Sequence, residues 1–351
     1  MLASHRHRLR PLIGRRRRAS REPLGSWCLT VVIVLLAGCL GLTELAYAAP
    51  NISAGGVTSL VLSSATSARA SSHGYLLALG DSLAAGYQPP DRSSLPPIDP
   101  STGFPDKGYP GGYASDLAAV RGLNLIDLGC PGETTISMLQ KPAQAACASD
   151  YEAEFSASSQ LAAALSFLSG HKGQVRLVSI DLGANDIERC ATNGALDPSC
   201  LHNGAASARH NLPVILSKLK HALDLDDPGA RLLAMNYYDP FLGLAFRPGG
   251  EKASGEAVLS LALVDSYNEE LQAVYQRANV PVAKVAAAFG SGSAIPLTSY
   301  GGRQLPRNVA LVCRWTWMCP ISPAKDSPDI HANSAGYRQI AGAFLTLLAK
   351  S

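Results

Sequence analysis

The chain has 351 residues, 47% of them hydrophobic and 16% charged, which is enough apolar material to bury a substantial core. The formal net charge is +3, but the first 48 residues carry eight arginines and only two acidic residues. The remainder holds 22 basic and 25 acidic residues, so it has no basic excess for phosphates and we expect no nucleic-acid partner.

The N-terminal segment 1–48 has the order of residues found in a secretory signal or membrane anchor. A basic stretch over 1–24 precedes an apolar run from Trp27 to about Leu42, and small residues follow. Cleavage after Ala48 fits an A-x-A site, whereas the Leu-Ala-Gly before Cys39 resembles a lipobox. An uncleaved anchor is the third alternative, since about 20 apolar residues span a bilayer. We therefore expect an exported protein, extracellular or attached to the cell surface.

Residues 49–72 are rich in Ser, Ala, Thr and Gly without a sustained period, which predicts a flexible linker. Residues 73–351 then suffice for one large domain in which strands and helices alternate. The predicted strands are Tyr75–Gly80, Leu123–Leu128, Val175–Leu182, Ala230–Asn236 and Val280–Val285. The predicted helices are Tyr113–Arg121, Ser158–Gly170, Ala205–Asp224, Glu256–Ala278 and Ser334–Ala349. This alternation predicts an α/β fold with a parallel sheet covered on both faces.

Two of these helices carry more specific expectations. Pro213 predicts a break or a later start in the helix over Ala205–Asp224. In the helix over Glu256–Ala278, one side is expected to be apolar. That side consists of Val258, Leu261, Val264, Leu271 and Val274. Long loops rich in Pro and Gly are predicted at 87–112, 141–156, 237–255 and 289–328.

The cysteines also favour export. Cys28 and Cys39 lie in the N-terminal segment, and the other six fall into three pairs close in sequence, Cys130/Cys147, Cys190/Cys200 and Cys313/Cys319. Six cysteines allow 15 pairings, and we expect the nearest-neighbour one because each pair brackets a loop-like segment. A zinc site is the competing interpretation, but CxxC spacing and a nearby histidine cluster are lacking. Disulfides would require an oxidising compartment.

Four residues in this pattern carry the parts that acyl transfer needs. Ser82, Gly132 and Asn185 follow the first three predicted strands, where parallel sheets place ligands, and His331 precedes the last helix. A serine hydroxyl needs a base, and histidine has a suitable pKa near 6.5. The negative oxygen of the intermediate needs fixed N–H donors, which glycine backbone and an asparagine amide supply.

This arrangement resembles the SGNH (GDSL) hydrolase family, with Ser82 within GDSLAAGY, Gly132 within GCPGET, Asn185 within GAND and His331 within DIHANSAGY. The four blocks occur in family order over residues 75–349. The resemblance implies a flavodoxin-like three-layer α/β/α sandwich and hydrolysis of carboxylic esters or thioesters. It also implies an oxyanion hole made by the Ser82 and Gly132 backbone N–H groups and the Asn185 side chain, without a metal or cofactor. An α/β-hydrolase is less favoured, because a GxSxG elbow is lacking in this strand context.

The acid of the triad departs from the family pattern. The family places it three residues before the histidine, where this chain has Pro328. Asp329, two residues before His331, is our prediction for the residue that orients it. A backbone carbonyl and Asp326 are the alternatives.

The expected activity is that of a secreted, monomeric lipase or esterase acting on ester or lipid substrates. The close cysteine pairs and the exported context resemble secreted actinobacterial lipases of this family. A polysaccharide O-acetylesterase of the same fold and a catalytically silent binding module are the alternatives. The predicted loop at 289–328 contains Tyr300, Trp315 and Trp317, and its two tryptophans either stack on a sugar or contact lipid, or fill a loop core.

Overall fold

The computed structural model describes residues 74–350, apart from 90–111, 141–146, 193–194, 248–249 and 321–327. The predicted signal or anchor, the linker and Asp326 lie outside the described residues. The strands are β1 Tyr75–Gly80, β2 Asn124–Asp127, β3 Val175–Asp181, β4 Ala191–Thr192, β5 Ala195–Leu196, β6 Arg231–Met235, β7 Val282–Ala283, β8 Thr298–Tyr300 and β9 Arg303–Leu305. The helices are α1 Tyr113–Arg121, α2 Thr135–Leu139, α3 Ala148–Phe155, α4 Gln160–Gly170, α5 Ala184–Glu188, α6 Pro198–Asp226, α7 Gly250–Arg277, α8 Val285–Ala288, α9 Arg307–Trp315 and α10 Ser334–Ala349, with a 3-10 helix over Pro240–Phe246.

Five parallel strands form the central sheet in the order β2-β1-β3-β6-β7. The strands are nearly continuous apolar runs because helices cover both faces of such a sheet. Helix α10 contacts α1 and α8, while α6 contacts α2, α4, α5 and α7, so the sheet is the middle layer of an α/β/α sandwich. The predicted fold class is confirmed. The carboxyl ends of β1 and β3 lie side by side, with Gly80 paired to Asp181.

The expectation that Pro213 breaks the helix or delays its start is wrong for α6. It begins at Pro198, capped by the Asp197 side chain, which accepts hydrogen bonds from the Ser199 and Cys200 amides, and it continues through Pro213 to Asp226. An internal proline removes one helical hydrogen bond. The leucines and isoleucine that follow it on the inner side are buried, and this burial offsets that loss.

The predicted apolar side of α7 is wrong in part. Val258 is 70% exposed, while its neighbour Ala257 is buried. Leu271 and Val274 are buried as expected. The first half of the helix packs against the 3-10 helix, so its inner side is not the one that the spacing of larger apolar residues indicates.

The segments predicted as loops at 237–255 and 289–328 contain regular structure. The 3-10 helix, the β8–β9 hairpin and α9 lie there and share a small apolar cluster, separate from the main core. The buried members of this small cluster are Leu305, Val309, Ala310, Cys313, Met318 and Cys319. The elements are short and their apolar residues come from distant parts of the chain, so no local periodicity marks them.

Three disulfides join the cysteines closest in sequence, Cys130–Cys147, Cys190–Cys200 and Cys313–Cys319. This is the nearest-neighbour pairing expected from the sequence. The first closes the segment that follows β2, and the third closes the turn between α9 and the loop that carries His331. Within the described ranges, none of the helices is both long and apolar enough to cross a membrane.

Candidate active site

Ser82 lies in a tight turn directly after β1, an inner strand of the sheet. The Asp81 carboxylate accepts a hydrogen bond from the Leu83 amide at 2.9 Å, and the Ser82 carbonyl accepts one from the Tyr87 amide at 2.9 Å. Gln160 of α4 bonds both the N–H and the C=O of Gly80, so the strand end is fixed from the helical layer. Asp81 therefore holds the turn.

Gly80 is required here for two reasons. Its φ is +136°, a region that side chains rarely adopt, and a Cβ atom would lie 1.9 Å from the Asp181 carboxylate oxygen. Burial raises the pKa of Asp81 to about 6 and raises the pKa of Asp181 well above its ordinary value, the second with a further contribution from the neighbouring Asp81 charge. A pair of buried carboxyl groups thus lies directly beneath the serine.

Ser82, His331 and Asp329 form a continuous chain of hydrogen bonds. Ser82 Oγ lies 2.9 Å from His331 Nε2, and His331 Nδ1 lies 2.7 Å from Asp329 Oδ1. The same carboxylate oxygen accepts the His331 amide at 2.9 Å. The side chains of His331 and Asp329 are 17% and 26% exposed, so solvent reaches the pair only partly. The structure therefore brings together the three residues that the sequence predicts as a triad.

The loop that carries His331 is fixed on both sides. Trp317 donates its amide to the His331 carbonyl at 3.0 Å, and the Tyr238 hydroxyl donates to the Ile330 carbonyl at 2.9 Å. The Tyr87 ring lies 4.4 Å from the imidazole, centroid to centroid. These contacts position the imidazole next to Ser82. The residues that make them lie outside the strands of the sheet.

Of the predicted oxyanion donors, Gly132 lies on the loop after β2 and Asn185 lies in α5, which follows β3. Gly132 has a φ of +78°, with open space where a side chain would be. Asn185 Nδ2 donates to the carbonyl of Glu133, the residue after Gly132, at 3.1 Å. Within the described segments, the Ser82 and Gly132 amides donate to no backbone carbonyl, so both are available to a substrate oxygen.

Three acidic residues near the site have roles that sequence reasoning missed. Asp186 accepts the amide and hydroxyl of Thr135, at 2.9 and 2.6 Å, and so ties α5 to α2 and Asn185 to the Gly132 loop. Burial raises the pKa of both Glu133 and Glu188 to about 7. For Glu133 and Asp186, the available sequence signal is their position directly after Gly132 and Asn185 in the motifs. Across the described residues, His, Cys, Asp and Glu form no group able to hold a metal ion.

The chain belongs to the GDSL-like lipase/acylhydrolase family, whose model matches residues 78–339. It is therefore an ester hydrolase by family. Among solved structures it is similar to an extracellular lipase from Streptomyces rimosus, at 20% identity over 79% of this chain and 99% of that chain, with a TM-score of 0.45. It is also similar to phospholipase A1 from Streptomyces albidoflavus NA297, at 18% identity over 79% and 99%, with a TM-score of 0.43.

A carbohydrate acetylesterase from Sinorhizobium meliloti is a further structural neighbour, at 16% identity over 79% of this chain and 98% of that chain, with a TM-score of 0.42. The search of curated proteins found no match.

Proposed function

We propose that this protein is an exported serine hydrolase that cleaves carboxylic esters through an acyl-enzyme on Ser82. The observation that carries the proposal is the unbroken Ser82–His331–Asp329 chain of hydrogen bonds, at 2.9 and 2.7 Å. A hydroxyl placed this close to an imidazole, which in turn is oriented by a carboxylate, is the arrangement that activates a serine nucleophile.

The proposed reaction has two steps. His331 takes the Ser82 proton as the hydroxyl attacks the ester carbonyl, and Asp329 holds the imidazole in the tautomer whose Nε2 accepts that proton. The negative oxygen is stabilised by the Ser82 and Gly132 amides and by Asn185. His331 then gives the proton to the leaving alcohol, and water repeats the sequence on the acyl-enzyme.

Labelling with a fluorophosphonate tests the nucleophile and excludes or supports a silent binding module. The full chain should be labelled, and Ser82→Ala should lose both the label and at least three orders of magnitude in p-nitrophenyl ester turnover. Ser169→Ala, an exposed serine at the end of α4, is the matched control and should behave as the parent. Retention of the label or of near-parent turnover in Ser82→Ala refutes the proposal.

We further infer that the substrates are lipids or simple esters. Two aromatic residues of the loop that could have formed a sugar platform are half-buried and packed against other parts of the protein. Tyr300 donates its hydroxyl to the Cys319 carbonyl at 3.0 Å and contacts Phe246, and Trp315 packs edge-on against Phe289 at 5.4 Å. Rates over p-nitrophenyl acetate through palmitate, measured beside acetylated xylan, test this choice. Sharp acetate preference with release of acetate from xylan overturns it.

Export rests on the N-terminal pattern and on the three disulfides, which persist in oxidising compartments. Mass spectrometry of the protein recovered outside the cell tests it. A new N-terminus at Ala49 supports cleavage after Ala48, and an acylated Cys39 supports the lipobox.

A further inference from the structure

Glu188 has a carboxyl group that the proposed mechanism does not use. It lies on the short helix α5, three residues after Asn185, and residues at this spacing lie on the same side of a helix. Asn185 reaches the Gly132 loop through the Glu133 carbonyl. The side of α5 that carries the oxyanion donor therefore also carries Glu188, which is only partly exposed.

The groups that face Glu188 locate it in the catalytic cleft. It interacts electrostatically with Asp81, at the end of β1, and with His331 and Asp329, in the loop before α10. It also interacts with Tyr238, in the loop after β6. Charged or polar groups from three segments, the end of β1, the loop after β6 and the loop before α10, thus interact with this carboxyl group.

No positive side chain faces Glu188 in the described part of the protein except His331 when protonated. Its sequence neighbour Arg189 is exposed and interacts with Asp186. Asp329, in contrast, adds negative charge, and the buried Asp81 adds to it from beneath the serine turn. While His331 is neutral, an anionic group of a substrate would therefore meet like charges at Glu188.

The carboxyl group also lacks a donor. Over the described ranges, Glu188 accepts no hydrogen bond and forms no ion pair, and burial without a partner raises its pKa to about 7. Burial of a carboxylate without a hydrogen-bond donor costs free energy, because the group loses contacts with water. A ligand that donates a hydrogen bond to the carboxylate offsets this cost. The site is therefore built to gain most from a substrate with a donor at this position.

We propose that Glu188 selects the alcohol part of the ester, binding a hydroxyl or ammonium donor there and rejecting an anionic group. This inference rests on the proposed Ser82 hydrolysis. The alcohol part is assigned because His331 delivers its proton to the leaving oxygen, so a group that faces His331 lies beside the leaving alcohol. A charge-assisted hydrogen bond of ordinary strength corresponds to about a 10- to 100-fold change in kcat/KM.

The test uses four butyrate esters that share an acyl group and differ in the alcohol. They are glycerol monobutyrate, O-butyrylethanolamine, propyl butyrate and butyryloxyacetate, which present hydroxyls, an ammonium, no donor and a carboxylate. The kcat/KM of each is measured with the full chain, Glu188→Gln and Glu188→Ala. Glu154→Gln, an exposed acid on α3, is the matched control and should keep the parent ratios.

We expect the parent to prefer a donor-bearing ester over propyl butyrate by at least about tenfold. If the donor is an ammonium, both Glu188 variants lose this preference, and in the parent it grows as the pH rises through about 7, because the carboxylate forms. If the donor is a hydroxyl, Glu188→Gln keeps part of the preference and Glu188→Ala loses it. Butyryloxyacetate should improve relative to propyl butyrate in both variants.

Unchanged ratios in both variants, with hydrolysis that still depends on Ser82, overturn the role of Glu188 and leave the proposed function standing. If the parent shows no Ser82-dependent hydrolysis of any of the four esters, both the role of Glu188 and the proposed function are overturned. Thermal melting of Glu188→Gln, which is nearly isosteric, checks that the fold is intact, since a folded variant makes the ratios decisive.

Discussion

The proposed nucleophile and its proposed base meet through one hydrogen bond, but two different apolar cores hold them. Ser82 follows β1, an inner strand of the sheet, whose residues Leu76 to Leu79 are fully buried in the main core. Ile330, next to His331, packs against the small apolar cluster, and only Ala332 beyond it reaches the main core. The position of Ser82 thus depends on global stability, whereas the position of His331 depends on a smaller region that can loosen alone.

The largest expected effect comes from breaking the His331 side at Asp329. Asp329→Ala removes the acceptor of Nδ1, so the imidazole loses its orientation and its preferred tautomer. We expect turnover of a p-nitrophenyl ester to fall on the order of 10²- to 10⁴-fold, with little change in thermal stability. Near-parent turnover would show that a backbone carbonyl is sufficient to orient His331.

Matched leucine deletions in the two cores compare their contributions directly. Leu177→Ala in β3 should lower the free energy of unfolding by about 2–5 kcal/mol and leave the turnover of the folded fraction close to that of the parent. Leu305→Ala in the small cluster should lower it by less, about 2 kcal/mol, but reduce turnover severalfold. Urea unfolding and ester kinetics on both variants measure this. Equal effects on turnover would mean that the two regions form one cooperative unit.

The disulfides allow a second comparison of the same kind. Removal of Cys130–Cys147, which closes 17 residues, should cost about 3 kcal/mol, and removal of Cys313–Cys319, which closes 6, about 2 kcal/mol. Because the shorter one borders the His331 loop, its paired alanine variant should lose more turnover although it loses less stability. If the variant without Cys130–Cys147 instead loses more turnover, the proposed division between the two apolar cores is contradicted.

The last expected effect is a pH dependence of stability on the Ser82 side, with a small change per pH unit. Glu133 is buried, with its pKa raised from 4.5 to about 7, so the folded chain keeps a proton that the unfolded chain releases near pH 4. The free energy of unfolding should therefore fall as pH rises between these values, by up to about 1.4 kcal/mol per pH unit from this group. Glu133→Gln should flatten this slope in urea titrations, and Glu154→Gln should not. Equal slopes in parent and Glu133→Gln would exclude Glu133 as the source.

The same division explains what the sequence predicts well. Tyr75–Gly80, Tyr113–Arg121 and Ser334–Ala349 have the predicted bounds because their apolar residues face one large core and their ends carry local signals such as the Asn333 cap. The residues of the catalytic chain are predictable because each follows or precedes such an element. Their contact depends on topology, which brings residues 249 positions apart to 2.9 Å.

The failures lie where local pattern and tertiary packing disagree. Val258 has helical spacing with Leu261, but the 3-10 helix packs against a different side of α7. Pro213 should end a helix, yet the burial that follows it stabilises the continuation. Glu188 was missed because a glutamate three residues after an asparagine has no distinctive sequence pattern. The groups that interact with Glu188 come from three separate segments of the chain, so they are known only from the structure.

The order of the strands has a consequence for how the chain acquires activity. β1 is made first but lies between β2 and β3, so the edge that pairs with β3 remains unpaired until residues near 181 have been synthesised. His331 follows Ser82 by 249 positions. A growing chain therefore holds Ser82 without its proposed base. Under the proposed mechanism, ester cleavage requires that the segment around His331 has been made and has folded against Ser82.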